Sequence, residues 1–212
     1  VFYQTFPSGL LPKVVEMEAD RLQHLKLNED VLNIERAVVL EERRLKTDSS
    51  PVARLQEELW KQSFNRHPYR WPVVGYPETL MLLNVIDLNA WFKKYYQPSN
   101  LVLSVAGDFD RAELMSLIRK HYGKIPAGPK IKRNADREPE QLGERRLKIH
   151  DEVQSSRVIL GYPISSANDD DSYSLDVLAN ILFSGSSSRA HVRLVETENI
   201  LFGVSGLAFT PS

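Results

Sequence analysis

Glu35 and Glu42 are the residues whose type and spacing speak most directly to chemistry. They fall in the stretch EDVLNIERAVVLEERRLK, 29–46, which opens after Asn28 as a helix cap. Its apolar periodicity predicts a stripe through Val31, Val38 and Val39. At about 100° per residue, positions seven apart differ by only roughly 20° on the helical wheel. The two carboxylates therefore line up, with Val31 and Val38 on one side and Val39 on the other. Ionised carboxylates on a core-facing stripe require something positive: a metal, an Arg or a shared proton. Their separation along the axis, about 10.5 Å, is too large for both to hold one ion. One reading makes one carboxylate a metal ligand and the other its support from beside the metal. The other pairs Glu42 with Lys46 at i+4 on a partly solvated face. At this stage both stand.

The elements around that helix alternate with clear punctuation. Val1 to Phe6 is strand-like, and Leu11 to Leu27 is an amphipathic helix. Ser50 and Pro51 supply an N-cap and a first-turn Pro for a helix reaching Phe64. Residues 65–76, with His67, Pro68, Trp71, Pro72 and Gly75, read as a loop. Helices follow over Glu78 to Leu83 and Val85 to Tyr96, stopped by Pro98. Leu101 to Gly107 reads as a short buried strand. Asp110 with Glu113 forms a capping box for a helix that Gly123 ends. The polar stretch Pro126 to Gly143 reads as an interdomain linker. Beyond it come strands Arg145 to His150 and Ser156 to Pro163, then a helix Asp170 to Phe183. A Ser/Gly turn, a helix Arg189 to Glu196 and a strand Ile200 to Phe209 complete the chain. The predicted class is α+β: two-layer α/β sandwich domains, with helices on one face of a largely antiparallel sheet. The domain division is 1–126, a linker 127–143, and 144–212.

Composition bounds the partners. The chain has 212 residues, enough for one large domain or two small ones, and a formal net charge of −1. Interspersed charge of that kind argues against nucleic acid as the main partner. There is no Cys, so a metal must be held by His, Glu or Asp. No apolar run reaches membrane length, so no membrane insertion is expected, and no signal peptide opens the chain. Beginning on VFYQTF and closing on a strand-like piece, it reads as the excised middle of a longer protein.

The stretch IERAVVLEERR, Ile34 to Arg44, resembles the pitrilysin/insulinase (M16) family of zinc metallopeptidases, the inverzincins with an H-x-x-E-H motif and a distant third ligand. The family's downstream helix has the form E-R-x-x-V-x-x-E. The resemblance implies that Glu42 is the zinc ligand and that Glu35 supports catalysis from beside the metal. Glu41 lies about 100° round the helix from that line and is rejected. HPYRWPVVGYPETL (His67 to Leu80) and DLNAWFKKYYQPSNLVLSVAGDFD (Asp87 to Asp110) are similar to the end of the family's first domain. NILFSGSSSRAHVRLVE (Asn180 to Glu196) is similar to a helix and loop of its second. The likeness runs in order along essentially the whole chain, and short bacterial members akin to mitochondrial processing peptidase match it best.

One departure matters most: H-x-x-E-H is absent from these residues. None of the five histidines replaces it. His67, His121, His150 and His191 lack a His or Glu at helical spacing. His24 with Asp20 reads as a surface contact, His121 as a helix-terminus contact and His67 as structural. One carboxylate does not hold a catalytic zinc, which takes about three protein ligands. The Ser184 to Ser188 turn lacks a P-loop Lys. Asp169, Asp170 and Asp171 need only capping and dipole arguments. Trp60, Trp71 and Trp91 are assigned to the core. Arg43, Arg44, Arg145 and Arg146 are read as a solvated face or a counter-charge for the acidic helix.

The resemblance implies a fragment of a zinc-dependent metalloendopeptidase, inactive by itself, with zinc in the intact protein and none expected in the fragment. Its partners would be a peptide or protein substrate, held by strand addition to a sheet edge, and a homologous partner subunit or a second copy. The compartment would be a bacterial periplasm or cytoplasm. The alternative is a non-catalytic subunit or scaffold of the same fold.

Overall fold

The computed structural model describes residues 1–132 and 137–208. The chain divides into two compact units, Val1–Ile159 and Leu160–Ser212. Helices dominate both. In the first unit, α1 spans Leu11–His24, α2 Glu29–Arg43, α3 Pro51–Ser63, α4 Pro77–Leu82, α5 Val85–Tyr95 and α6 Arg111–His121. In the second, α7 spans Asp171–Phe183 and α8 Arg189–His191.

Short polar side chains start these helices where the sequence places them. Asn28, Ser50, Asn84 and Asp110 accept from the backbone N–H groups of Val31, Ala53, Asp87 and Glu113 respectively. Each satisfies a donor that the first helical turn leaves without a partner. At α7 the acidic start differs, because Asp170 makes no side-chain cap and Asp169 instead accepts from Ser166 N–H. Two helices end in π turns, Arg44–Asp48 after α2 and Val192–Thr197 after α8.

The α+β sandwich is not what forms. Among the described residues there is no strand and no sheet. Val1 to Phe6, Leu101 to Gly107, Arg145 to His150, Ser156 to Pro163 and Ile200 to Leu207 run without ladder pairing, and Phe209, the end of the last expected strand, lies outside the described residues. Alternation sets an extended backbone, but a strand also needs a neighbouring segment about 4.8 Å away to exchange hydrogen bonds. Strand addition of a substrate accordingly has no sheet edge to use among these residues.

The buried core is small and lies between α1 and α6. Leu11, Val15 and Leu114 are buried together, with Phe6, Val105, Phe109, Leu117, Ile118 and Tyr122 packed around them. Each fully buried aliphatic side chain of this kind contributes roughly 1.5–3 kcal/mol. Two of the three tryptophans assigned to the core are exposed, Trp71 and Trp91. Trp60 stacks on Phe64 and meets Tyr69 edge-on, while the exposed Trp91 packs on Tyr95 and Tyr96 and Trp71 on Tyr76.

The stretch expected to link two domains is tied to the first unit, apart from residues 133–136, which lie outside those described. Ser99 N–H donates to Ala127 O at 2.9 Å and Gln97 Nε2 to Pro129 O at 2.7 Å. Glu138 accepts from the backbone N–H groups of Asn65, Arg66 and His67 at 2.5, 2.8 and 2.8 Å. Desolvation pushes the Glu138 carboxyl up, but those three donors, with Arg145 nearby, outweigh it and hold it below the usual range. Arg145 itself donates to the carbonyls of Gln62 and Ser63 near the end of α3.

Candidate functional site

The face that α2 buries is not the valine stripe. Val31 and Val38 are exposed, as is Ile34, at 38%, 56% and 64%. The face turned to the protein carries Leu32, Arg36, Val39, Leu40 and Arg43, of which Leu32 and Arg43 are buried. Wheel arithmetic puts these five within about 100°, one coherent face. Two are arginines, whose long stems cover apolar surface while the head groups seek acceptors. The valine stripe and this face share only Val39.

Arg36 bonds through all three of its nitrogens, and Arg43 through all but its Nε. The Arg43 guanidinium grips Glu57 of α3 through two hydrogen bonds, 2.9 and 3.0 Å, and gives a third to Gly75 O at 3.0 Å. Its Nε lies 3.2 Å from the Asp48 carboxylate. The ring of Tyr76 lies 5.8 Å from its guanidinium carbon, within cation–π range. The hydrogen bond to Glu57 outweighs desolvation and raises the already high Arg43 pKa. Arg36 donates to Leu80 O at 3.0 Å and Leu83 O at 2.6 Å. These carbonyls belong to the end of α4, where backbone acceptors lack helical partners. Gly75 holds φ +84°, a conformation that favours glycine, so the turn can present its carbonyl to Arg43.

Arg43, expected on a solvated face or as a counter-charge for the acidic helix, is a buried ion-pair centre, whereas Arg44 lies on the surface. Arg44 is exposed and pairs with Glu41 at 2.5 Å. That pairing also occupies Glu41, the residue one position out of register.

Glu35 and Glu42 flank the buried arc. Glu35 is exposed. The Glu42 side chain is 44% exposed and accepts from Lys46 Nζ at 2.6 Å, in the π turn that follows. Glu42 has drawn in its nearest cation, the i+4 lysine, as the second reading of the spacing expects. Between and beyond the carboxylates run Val31, Val38 and Leu45, all exposed. Polar and apolar groups thus share one open flank.

Other singled-out groups have ordinary roles. His24 Nδ1 lies 2.7 Å from Asp20 on an exposed helix turn. His67 Nδ1 accepts from Tyr69 N–H, and its ring packs against Phe64 and Tyr69. No group of three or more His, Cys, Asp or Glu among the described residues is arranged to hold a metal ion. The donor set available on α2 fits one zinc ligand and not a complete zinc site.

The sequence profile described as "Peptidase M16 inactive domain" matches residues 83–210, more than half of the chain. The chain belongs to the M16 peptidase family. Among curated proteins it is 31% identical over 200 residues to the zinc protease PqqE of Helicobacter pylori, covering 90% of this chain and 44% of that protein. It is 30% identical over 128 residues to the beta subunit of the mitochondrial-processing peptidase of Blastocladiella emersonii, covering 60% of this chain and 27% of that one. A crystal structure of a protease from Helicobacter pylori superposes with a TM-score of 0.74 at 27% identity, over 92% of this chain and 48% of that one. The chain spans less than half the length of these M16 relatives. Its α2, with Glu35 and Glu42, lies before the stretch that the M16 profile matches.

No helix among the described residues is long and apolar enough to cross a membrane.

Proposed function

We propose that this chain is the part of a zinc-dependent endopeptidase that contributes one metal ligand, Glu42, and a supporting carboxylate, Glu35. The observation that carries the reading is the state of α2. Its E-R-x-x-V-x-x-E register leaves Glu35 and Glu42 on an open flank, while Arg36 and Arg43, about 100° round the helix, bind the neighbouring face to α3 and α4. Glu42 is held by a single flexible cation, which a metal ion with its other ligands in place would displace. The relatives named zinc proteases support zinc as that metal. Zinc, when bound, supplies a Lewis acid and lowers the pKa of a coordinated water. Glu42 would hold the ion, and Glu35 would keep a negative field beside it that orients neighbouring donors. The remaining ligands would be supplied by residues outside this chain.

The substrate would be a peptide or protein, as the class of the relatives implies. A homologous subunit is a reasonable partner, since one matching relative is itself named as a subunit of a peptidase. A bacterial periplasm or cytoplasm is the proposed compartment. The domain division proposed for the intact protein places 1–126 in a first M16 domain and 144–212 in a second, with 127–143 between them.

A second reading, a non-catalytic subunit of the same fold, is favoured by the profile's own description as an inactive domain. Retention of Glu35 and Glu42 opposes it. The test is Glu42→Gln in the full-length protein, measuring bound zinc and hydrolysis of a fluorogenic peptide. The peptidase reading expects a folded protein with zinc largely lost and hydrolysis largely abolished. Unchanged zinc and turnover would end the assignment. Glu35→Gln should slow turnover with less metal loss.

A further inference from the structure

We propose that Arg36 and Arg43 are positioning residues for the carboxylate line, fixing the roll and the axial setting of α2 so that Glu35 and Glu42 meet a metal at a set distance. This rests on Glu42 being a zinc ligand. Each arginine directly follows one of the two glutamates, so the anchors repeat at the same seven-residue interval as the groups they would position. Each anchors a different half of the helix to a different element. Arg36 takes two carbonyls at the end of α4. Arg43 takes Glu57 of α3, the Gly75 carbonyl and Asp48.

Geometry explains why two anchors are needed. Rolling a helix by about 20° sweeps a Glu carboxylate, about 6 Å from the axis, through roughly 2 Å. That is about the length of a zinc–oxygen bond, and metal sites tolerate only a fraction of it. Apolar packing alone resists such a roll weakly here, because Leu32 is the one fully buried aliphatic residue of α2. A planar guanidinium held bidentately by Glu57 resists it by direction as well as by energy. The Glu57 side chain is 15% exposed and that of Arg43 8%, so solvent offers little substitute for either partner. Neither arginine touches the flank where a metal would sit, so both would act through the helix itself.

The experiment uses the full-length zinc-loaded protein and compares Arg43→Lys, Arg36→Lys and Glu57→Gln with Glu42→Gln. Zinc affinity is read by chelator competition, and kcat and KM on a peptide, at a temperature where circular dichroism shows each variant folded. Arg43→Lys keeps the charge and loses the fork. It should weaken zinc affinity and lower kcat by about 10-fold or more with KM nearly unchanged. Glu57→Gln should shift the same quantities in the same direction, and the Arg43→Lys/Glu57→Gln double variant should fall short of the product of the two effects. A purely structural role would lower Tm and leave zinc affinity and kcat untouched, which overturns the proposal. Should Arg43→Lys fail to fold, Glu57→Gln and Arg36→Lys carry the same decision. If Glu42→Gln loses zinc while all three anchor variants match wild type, positioning is wrong and the ligand assignment stands. If Glu42→Gln retains zinc, the ligand assignment fails and the positioning proposal with it.

Discussion

The two sides of α2 differ in almost every physical respect. On the buried side, two guanidinium groups are held by fixed acceptors on α3, α4 and the loop before α4, with Arg43 Nε left to its ion pair with Asp48. On the open side, the Glu42 carboxylate has one partner, a lysine whose side chain is 70% exposed. One side is built from directional bonds between groups that solvent scarcely reaches, and the other from an ion pair that water and salt weaken. The difference teaches where rigidity has been invested. A face about 100° round from the candidate chemistry holds the helix, and the chemical face is left free to exchange partners.

The sharpest way to break that contrast is Arg43→Met. It strands Glu57 with no cation and removes a donor from Gly75 O, so the expected loss is about 3 kcal/mol or more of unfolding free energy. Urea denaturation of the full-length protein measures it. A loss no larger than that of an exposed position would show that the Arg43 centre does not hold α2. Next in size is Arg36→Ala, which frees the carbonyls of Leu80 and Leu83 at the end of α4. About 1–2 kcal/mol is expected, with amide exchange rising first in 77–83.

Lys46→Met on the open side should cost only about 0.3–0.5 kcal/mol, vanishing at high salt. It should leave zinc binding in the intact protein unchanged or tighter, because it removes the cation that competes for Glu42. Weaker zinc binding in that variant, read by chelator competition, would mean that Lys46 supports the site.

The smallest effect concerns acid. The loop that presents Gly75 to Arg43 begins at Asn65, where Glu138 accepts three backbone N–H groups. The folded pKa of Glu138 lies below its ordinary 4.5, so its contribution is fully present above that value and is lost as pH falls through the folded pKa. Protection of the amides of Asn65, Arg66 and His67 should be lost as pH falls below 4.5 and through that lowered pKa. Glu138→Gln should show faster exchange at neutral pH and less dependence on acid. Identical profiles in the two proteins would rule out this clamp.

Local features were legible without a structure. A cap is a bond between residues three apart in sequence, so Asn28, Ser50 and Asp110 announce their helices, although Asp170 ahead of α7 makes no such bond. The collinearity of Glu35 and Glu42 follows from helical geometry alone, and so does the i+4 reach of Lys46. Family membership was legible too, because it resides in ordered residue identities. Three other matters were decided by tertiary structure. Alternating segments such as 156–163 specify an extended chain but not a neighbour to pair with, so the expected sandwich does not form among the described residues. Which side of α2 is buried depended on acceptors distant in sequence, Glu57 and the carbonyls of Gly75, Leu80 and Leu83. A guanidinium counts as polar in any periodicity analysis, yet it becomes a core group once such acceptors surround it, because burying a charge is tolerable only when its bonds are met. No property of Arg43 by itself announces them.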